Sequence, residues 1–180
     1  QPIRAYASLQ SGTTDEERAA VVMRELERTN AFERSAIALF SPTGSGYVNY
    51  VASETFEYLT RGDCASFAIE YSVLPSSFSL QAVPLGTRQT RLVVDAVVER
   101  LLTMKPEDRP KFYMFGESLG SQVSEGQPPS TNCRKAALKP GEVVTLPSWK
   151  LDGCWSPGWL SGATTPSLNL AHSSSTAAAV

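Results

Sequence analysis

Histidine is almost missing: His172 is the single one in 180 residues. Cysteine is scarce too. Cys64, Cys133 and Cys154 are odd in number, widely spaced and without a Cys-x-x-Cys pair, so no metal site is expected. They read as buried or incidental thiols, with a Cys133–Cys154 disulfide open in an oxidising compartment. Neither sign of charge is in excess. A net charge of -2 and a pI of about 5.5 exclude a strongly basic groove for nucleic acid and a polybasic membrane patch. No apolar run reaches the roughly 18 residues that a bilayer-spanning helix needs. The first residues lack a basic stretch followed by an apolar one, so no signal peptide is expected. The chain begins with Gln1 rather than Met, which suggests a piece of a longer product with targeting information upstream. Localisation and oligomeric state stay open.

What is present reads as a globular core. Hydrophobic residues make up 42% and charged residues 19%, enough for one domain with a buried interior. Ile3 to Leu9 alternates as a strand, with Ile3, Ala5, Ala7 and Leu9 on one face. Thr14-Asp15-Glu16-Glu17 forms a capping box, and Ala19, Val22, Met23 and Leu26 follow at helical spacing to about Thr29. Ala36 to Phe40 is an uninterrupted apolar run, suited to a central parallel strand. A loop rich in Gly, Ser and Thr, 41–46, leads to a helix over about Asn49 to Leu59, with Val51, Thr55, Tyr58 and Leu59 on one side. Ala65 to Tyr71 is the third strand. Leu74 to Thr87 reads as a long connection whose Phe78, Leu80, Val83 and Leu85 either pack inward or line a substrate approach. Arg88 to Met104 is a helix with Val93, Ala96, Val97, Leu101 and Met104 on its core face. Strands separated by helices require crossovers, so the fold class is α/β: a mostly parallel sheet with helices on both faces.

The next stretch, 111–120, is the one with chemical content. An apolar run ends in Gly116-Glu117-Ser118-Leu119-Gly120, the Gly-x-Ser-x-Gly form of a nucleophile elbow. In such a turn the chain leaves a strand, bends at the serine and enters a helix. Small residues are needed two places to either side of the serine. The backbone N–H of Leu119 is placed to face a developing oxyanion. Glu117 is expected to be structural, its side chain bonded to neighbouring backbone.

After Glu125 the composition shifts. Glu142 and Asp152 are the only acidic residues from Gln127 onward, all three tryptophans (Trp149, Trp155, Trp159) fall there, and Val143 to Leu146 is the one strand candidate. The end is a Ser/Ala-rich tract. Residues 1–126 therefore read as an α/β unit that ends just past the elbow, incomplete at its C-terminus, and 127–180 as an atypical, poorly ordered tail.

Several stretches resemble the catalytic domain of an actinobacterial alpha/beta-hydrolase family, whose members usually carry a membrane-spanning region ahead of it. They are 3–9, 24–29, Pro42-Thr43-Gly44-Ser45-Gly46-Tyr47-Val48, 68–76, and 109–111 leading into Phe115-Gly116-Glu117-Ser118-Leu119-Gly120-Ser121. The resemblance covers about residues 1–125. It implies a serine hydrolase fold with Ser118 as nucleophile and any membrane anchor outside this stretch. It offers no counterpart for the later acid and histidine.

A serine hydroxyl needs a base and a group to orient that base. Ser118, Asp152 and His172 occur in the Ser–Asp–His chain order of these enzymes, with Glu142 as second choice of acid. Against this, His172 sits in the low-complexity tract, and Leu151-Asp152-Gly153 reads equally as a turn. Thr43, after the second strand, is the candidate for the other oxyanion donor, with Gly44 and Gly46 allowing close backbone approach. Three functions follow: an esterase or lipase-like serine hydrolase acting on a small ester or lipid; a truncated or frame-shifted, catalytically incompetent remnant of one; and a binding module that uses the apolar Leu74 to Leu85 segment. No cofactor, metal or nucleic acid is expected for any of them.

Overall fold

A computed structural model describes residues 1–125 and the two-residue strand Ser175–Thr176. The chain runs β1 (Ile3–Ala7), α1 (Asp15–Arg28), β2 (Ala36–Ser41), α2 (Tyr50–Leu59), β3 (Cys64–Ile69), α3 (Val83–Leu102), β4 (Lys111–Glu117), α4 (Leu119–Glu125) and β5 (Ser175–Thr176). The strand order is β1-β3-β2-β4-β5. β1 to β4 are all parallel, and β5 pairs antiparallel with the end of β4. The expected α/β class with a mostly parallel sheet is therefore present.

From β2 the chain steps to one side to make β3, then crosses back to make β4 on the other side. Connections that diverge in this way leave a crevice at the carboxyl ends of the strands, where α/β sheets bind ligands. The turns after β2 and β4, which hold Thr43 and Ser118, lie at that end of the sheet on neighbouring strands.

Helices cover both faces of the sheet. On one face α1 and α3 pack together over the main core, built from Val22, Leu26, Ile37, Leu39, Phe67, Val93, Val97 and Phe112 among others. β2 and β3 are buried along their whole length, as parallel central strands require. On the other face α2 sets Phe56 edge-on against Phe40 (6.0 Å between centroids) and Tyr113 (5.7 Å).

The start of α1 follows its sequence signature. Thr14 Oγ1 accepts from the Glu17 N–H at 3.1 Å, and Glu17 reaches back to the Thr13 and Thr14 N–H groups. α3 begins at Val83, well before Arg88. Pro84, whose fixed φ suits a first turn, starts it, and two short 3-10 turns (Ser76–Phe78, Leu80–Ala82) precede it. Leu9 leaves the first strand for a 3-10 turn capped by Ser8. α2 corrects a third expectation. Val51, Tyr58 and Leu59 are exposed, and the side turned to the sheet carries Ala52, Phe56 and Thr60. The aromatic partners on β2 and β4 decide the rotation, because Phe56 gains two ring contacts that no other residue of α2 makes. The strand candidate Val143 to Leu146, Cys133, Cys154 and the three tryptophans lie outside the described residues.

Candidate active site

Ser118 is one of three non-glycine residues with a left-handed backbone among the described residues, at φ 55°. Such a conformation costs a residue with a Cβ on the order of 1–2 kcal/mol, so the surrounding packing must impose it. The packing is visible on both sides. A Cβ on Gly116 would collide with the carbonyl of Gly120, and one on Gly120 with the carbonyl of Ser41. The strand end and the helix start thus press on each other and on β2 with no room for a side chain. Further bonds hold the turn. The Ser121 N–H (3.1 Å) and Ser121 Oγ (2.7 Å) both donate to the Ser118 carbonyl, and Ser124 Oγ donates to Ser41 Oγ at 2.6 Å in a buried position.

Leu119 is the first residue of α4, and helix-start N–H groups have no partner inside the helix. Among the described residues its N–H donates to none. Ser118, a partly exposed residue, immediately precedes it in the chain.

The loop after β2 is more tightly tied than a Gly/Ser/Thr tract suggests. The Thr43 N–H donates to the Tyr47 carbonyl at 2.9 Å, and the Gly46 N–H returns to the Thr43 carbonyl at 3.0 Å. The amide of Thr43 is therefore occupied, and its hydroxyl, 3.3 Å from Ser45 Oγ, is the group left to meet a ligand. Gly44 and Gly46 serve internal packing. A Cβ on Gly44 would lie 2.6 Å from Ser79 Cβ. Gly46, at φ 77°, lies against the Glu70 carboxylate and the Tyr6 hydroxyl.

Glu117 reaches further than nearby backbone. Its Oε2 accepts from Asn49 Nδ2 at 2.5 Å, while Asn49 Oδ1 caps α2 by accepting from the Ala52 N–H at 3.0 Å. One amide thus joins the residue before Ser118 to the start of α2. From the edge strand β1, Tyr6 Oη donates to the Gly46 carbonyl at 3.1 Å. Burial, reinforced by the nearby Glu70 carboxylate, pushes the Tyr6 phenol up to about 12. Glu70 Oε2 accepts from the Leu9 N–H at 2.9 Å, so this carboxylate is engaged in holding loops.

Ser118, Leu119 and Thr43 sit at the same end of the sheet, just past the ends of the adjacent strands β2 and β4. Asp152, His172 and the alternative acid Glu142 lie outside the described residues. No group of three or more His, Cys, Asp or Glu that could hold a metal occurs among the described residues. Among them, too, no helix is long and apolar enough to cross a membrane. Sequence reading passed over Asn49, although an Asn just before a helix is a capping signal. It also passed over Ser79, whose buried hydroxyl lies within hydrogen-bond distance of Gly44, Leu74 and Pro75 carbonyls and of Ser72 Oγ. A serine inside an apolar connection carries no such signal.

A strand–turn–helix with a left-handed serine between two obligatory glycines, beside the switch point of a parallel sheet, defines a hydrolase-like scaffold. The sequence model of the alpha/beta-hydrolase family matches residues 3–138, and the chain belongs to that family. The match runs on past Glu125, where the composition shifts. No curated protein and no solved structure matches the chain.

Proposed function

We propose that the protein is a serine hydrolase acting on carboxylic esters, with Ser118 as the nucleophile. The observation that carries this reading is the strained backbone at Ser118, locked by Gly116 and Gly120 at the carboxyl end of β4. Stored strain of this kind persists where it has a use, and here it holds the serine hydroxyl out of the strand–helix junction. Ser118 Oγ attacks the ester carbonyl. The oxyanion that forms is met by the Leu119 N–H and, from the neighbouring loop, the Thr43 hydroxyl. A base takes the Ser118 proton and returns it to the leaving alcohol; His172 is the chain's one histidine and fills this role, oriented by Asp152.

A second reading is a catalytically incompetent remnant. The scarcity of histidine favours it, since a single residue in a Ser/Ala-rich tract must serve as base. Turnover of a short-chain p-nitrophenyl ester by the full chain separates the two. The hydrolase reading predicts activity that falls by at least about 10³-fold in both Ser118→Ala and His172→Ala. A folded chain with no turnover above these variants favours the remnant.

A further inference from the structure

The loop that holds Thr43 touches the elbow directly. A Cβ on Gly120 would strike the carbonyls of Ser41 and Pro42, so the backbone just before Thr43 rests on the start of α4. Past that point, residues 43–47 contain Gly44 and Gly46, which permit many backbone shapes. Among the described residues, two ties from outside the loop hold it in one. On one side the Gly44 carbonyl accepts from Ser79 Oγ at 3.1 Å. Ser79 is buried, while Phe78 and Leu80 on either side of it are exposed rather than packed inward. On the other side the Gly46 carbonyl accepts from Tyr6 Oη.

The second tie reaches across a strand. Tyr6 lies on β1 and the loop follows β2, with β3 between them. Glu70, just past β3, lies with it: a Cβ on Gly46 would meet both the Glu70 carboxylate and the Tyr6 hydroxyl. Glu70 is itself fixed. Its N–H donates to the Ala7 carbonyl at 2.8 Å, its carbonyl accepts from Gln89 Nε2 at 2.8 Å, and its Oε2 accepts from the Leu9 N–H at 2.9 Å. Partial burial and this carboxylate push the Tyr6 phenol up to about 12, so it stays protonated and able to donate near neutral pH. Tyr6 is 49% exposed and no part of the main core, so the bond to Gly46 is what its hydroxyl contributes.

An oxyanion donor is effective when it is held in place before the charge appears. A displacement of about 1 Å can cost on the order of 10²-fold in rate. Resting on the reading of Ser118 as nucleophile, we infer that Tyr6 is a positioning residue: by holding the Gly46 carbonyl it fixes the loop from which the Thr43 hydroxyl meets the oxyanion.

The test combines ester turnover with amide hydrogen exchange, on the full chain, in wild type, Tyr6→Phe, Thr43→Val and the double variant. Tyr6→Phe folds as wild type does, because the half-exposed ring is kept. Its Thr43 and Gly46 amides exchange at least about tenfold faster, while those of α1 and β3 are unchanged. Its kcat falls about tenfold with KM little changed, the pattern of a lost transition-state contact. Thr43→Val lowers kcat about 10²-fold. The double variant falls no further, because Tyr6 acts through Thr43. Unchanged exchange in Tyr6→Phe, faster exchange with unchanged kcat, or effects that multiply in the double variant overturn the inference. A wild type no faster than Ser118→Ala overturns the reading of Ser118 and this role with it. An active wild type with an unaffected Tyr6→Phe overturns the role alone.

Discussion

The two faces of the sheet are held in different ways. Under α1 and α3 the contacts are many and continuous. Phe67 and Phe112 stack at 6.3 Å, and Val22, Leu26, Val93 and Val97 close over them with almost no exposure. A buried polar chain crosses this side. Arg18 Nε donates to Gln89 Oε1 and Gln89 Nε2 to the Glu70 carbonyl, each at 2.8 Å, while Asp15 pairs with Arg18. Under α2 there is no fully buried residue on the helix. Its attachment rests on Phe56, on the Asn49–Glu117 bond and on the paired bonds from Arg4 of β1 to the Glu57 carboxylate. One face thus supplies stability, and the other joins the Ser118 turn to a lightly held helix. If Ser118 is the nucleophile, one layer fixes it and the other gives it an adjustable neighbour.

The largest expected effect separates the faces directly. Phe67→Ala should cost about 3–5 kcal/mol and Phe56→Ala about 1–2 kcal/mol in urea unfolding. Equal costs would erase the distinction. Gln89→Leu should cost about 2–4 kcal/mol, because Arg18 and the Glu70 carbonyl lose a buried partner together. A near-neutral result would mean that the polar chain is not part of what holds that face. Asn49→Ala should cost only about 1 kcal/mol, the worth of a helix cap, yet slow acylation of Ser118 several-fold. Loss of stability with no change in acylation would cut α2 off from the site.

Tyr71 tests the same side from within. Its hydroxyl is buried without a partner among the described residues, and burial pushes the phenol up to about 12. Tyr71→Phe should stabilise the protein by about 1 kcal/mol at neutral pH. The sign with pH follows from the raised value: the folded state favours the neutral phenol. Stability is therefore full below the ordinary tyrosine range near 10 and is lost as pH rises toward about 12. Tyr71→Phe should lose less over that window. The smallest effect is expected on the outer side of α2, where Val51→Ser and Leu59→Ser should stay within about 0.5 kcal/mol.

The order of strands and helices was legible because each signal is local. The capping box at Thr14, the apolar run of β2 and the period of α3 each state their own structure. The rotation of α2 was not, because its apolar residues lie on two sides and the choice is made by Phe40 and Tyr113 from other strands. The beginning of α3 was hidden by Pro84, which reads as a break and acts as a start. At the site, Gly116, Ser118 and Gly120 were readable as a turn. The tie from Glu117 to Asn49 spans 68 positions, and the loss of the Thr43 amide to Tyr47 is a matter of loop geometry; neither leaves a trace in spacing.

The measurement that bears most directly on the central claim is mass spectrometry of the folded full chain after treatment with a fluorophosphonate. The account predicts a single adduct on the peptide that contains Ser118, absent from Ser118→Ala and lost on unfolding before treatment. A folded chain that takes up no adduct, or one labelled equally in Ser118→Ala, would contradict it.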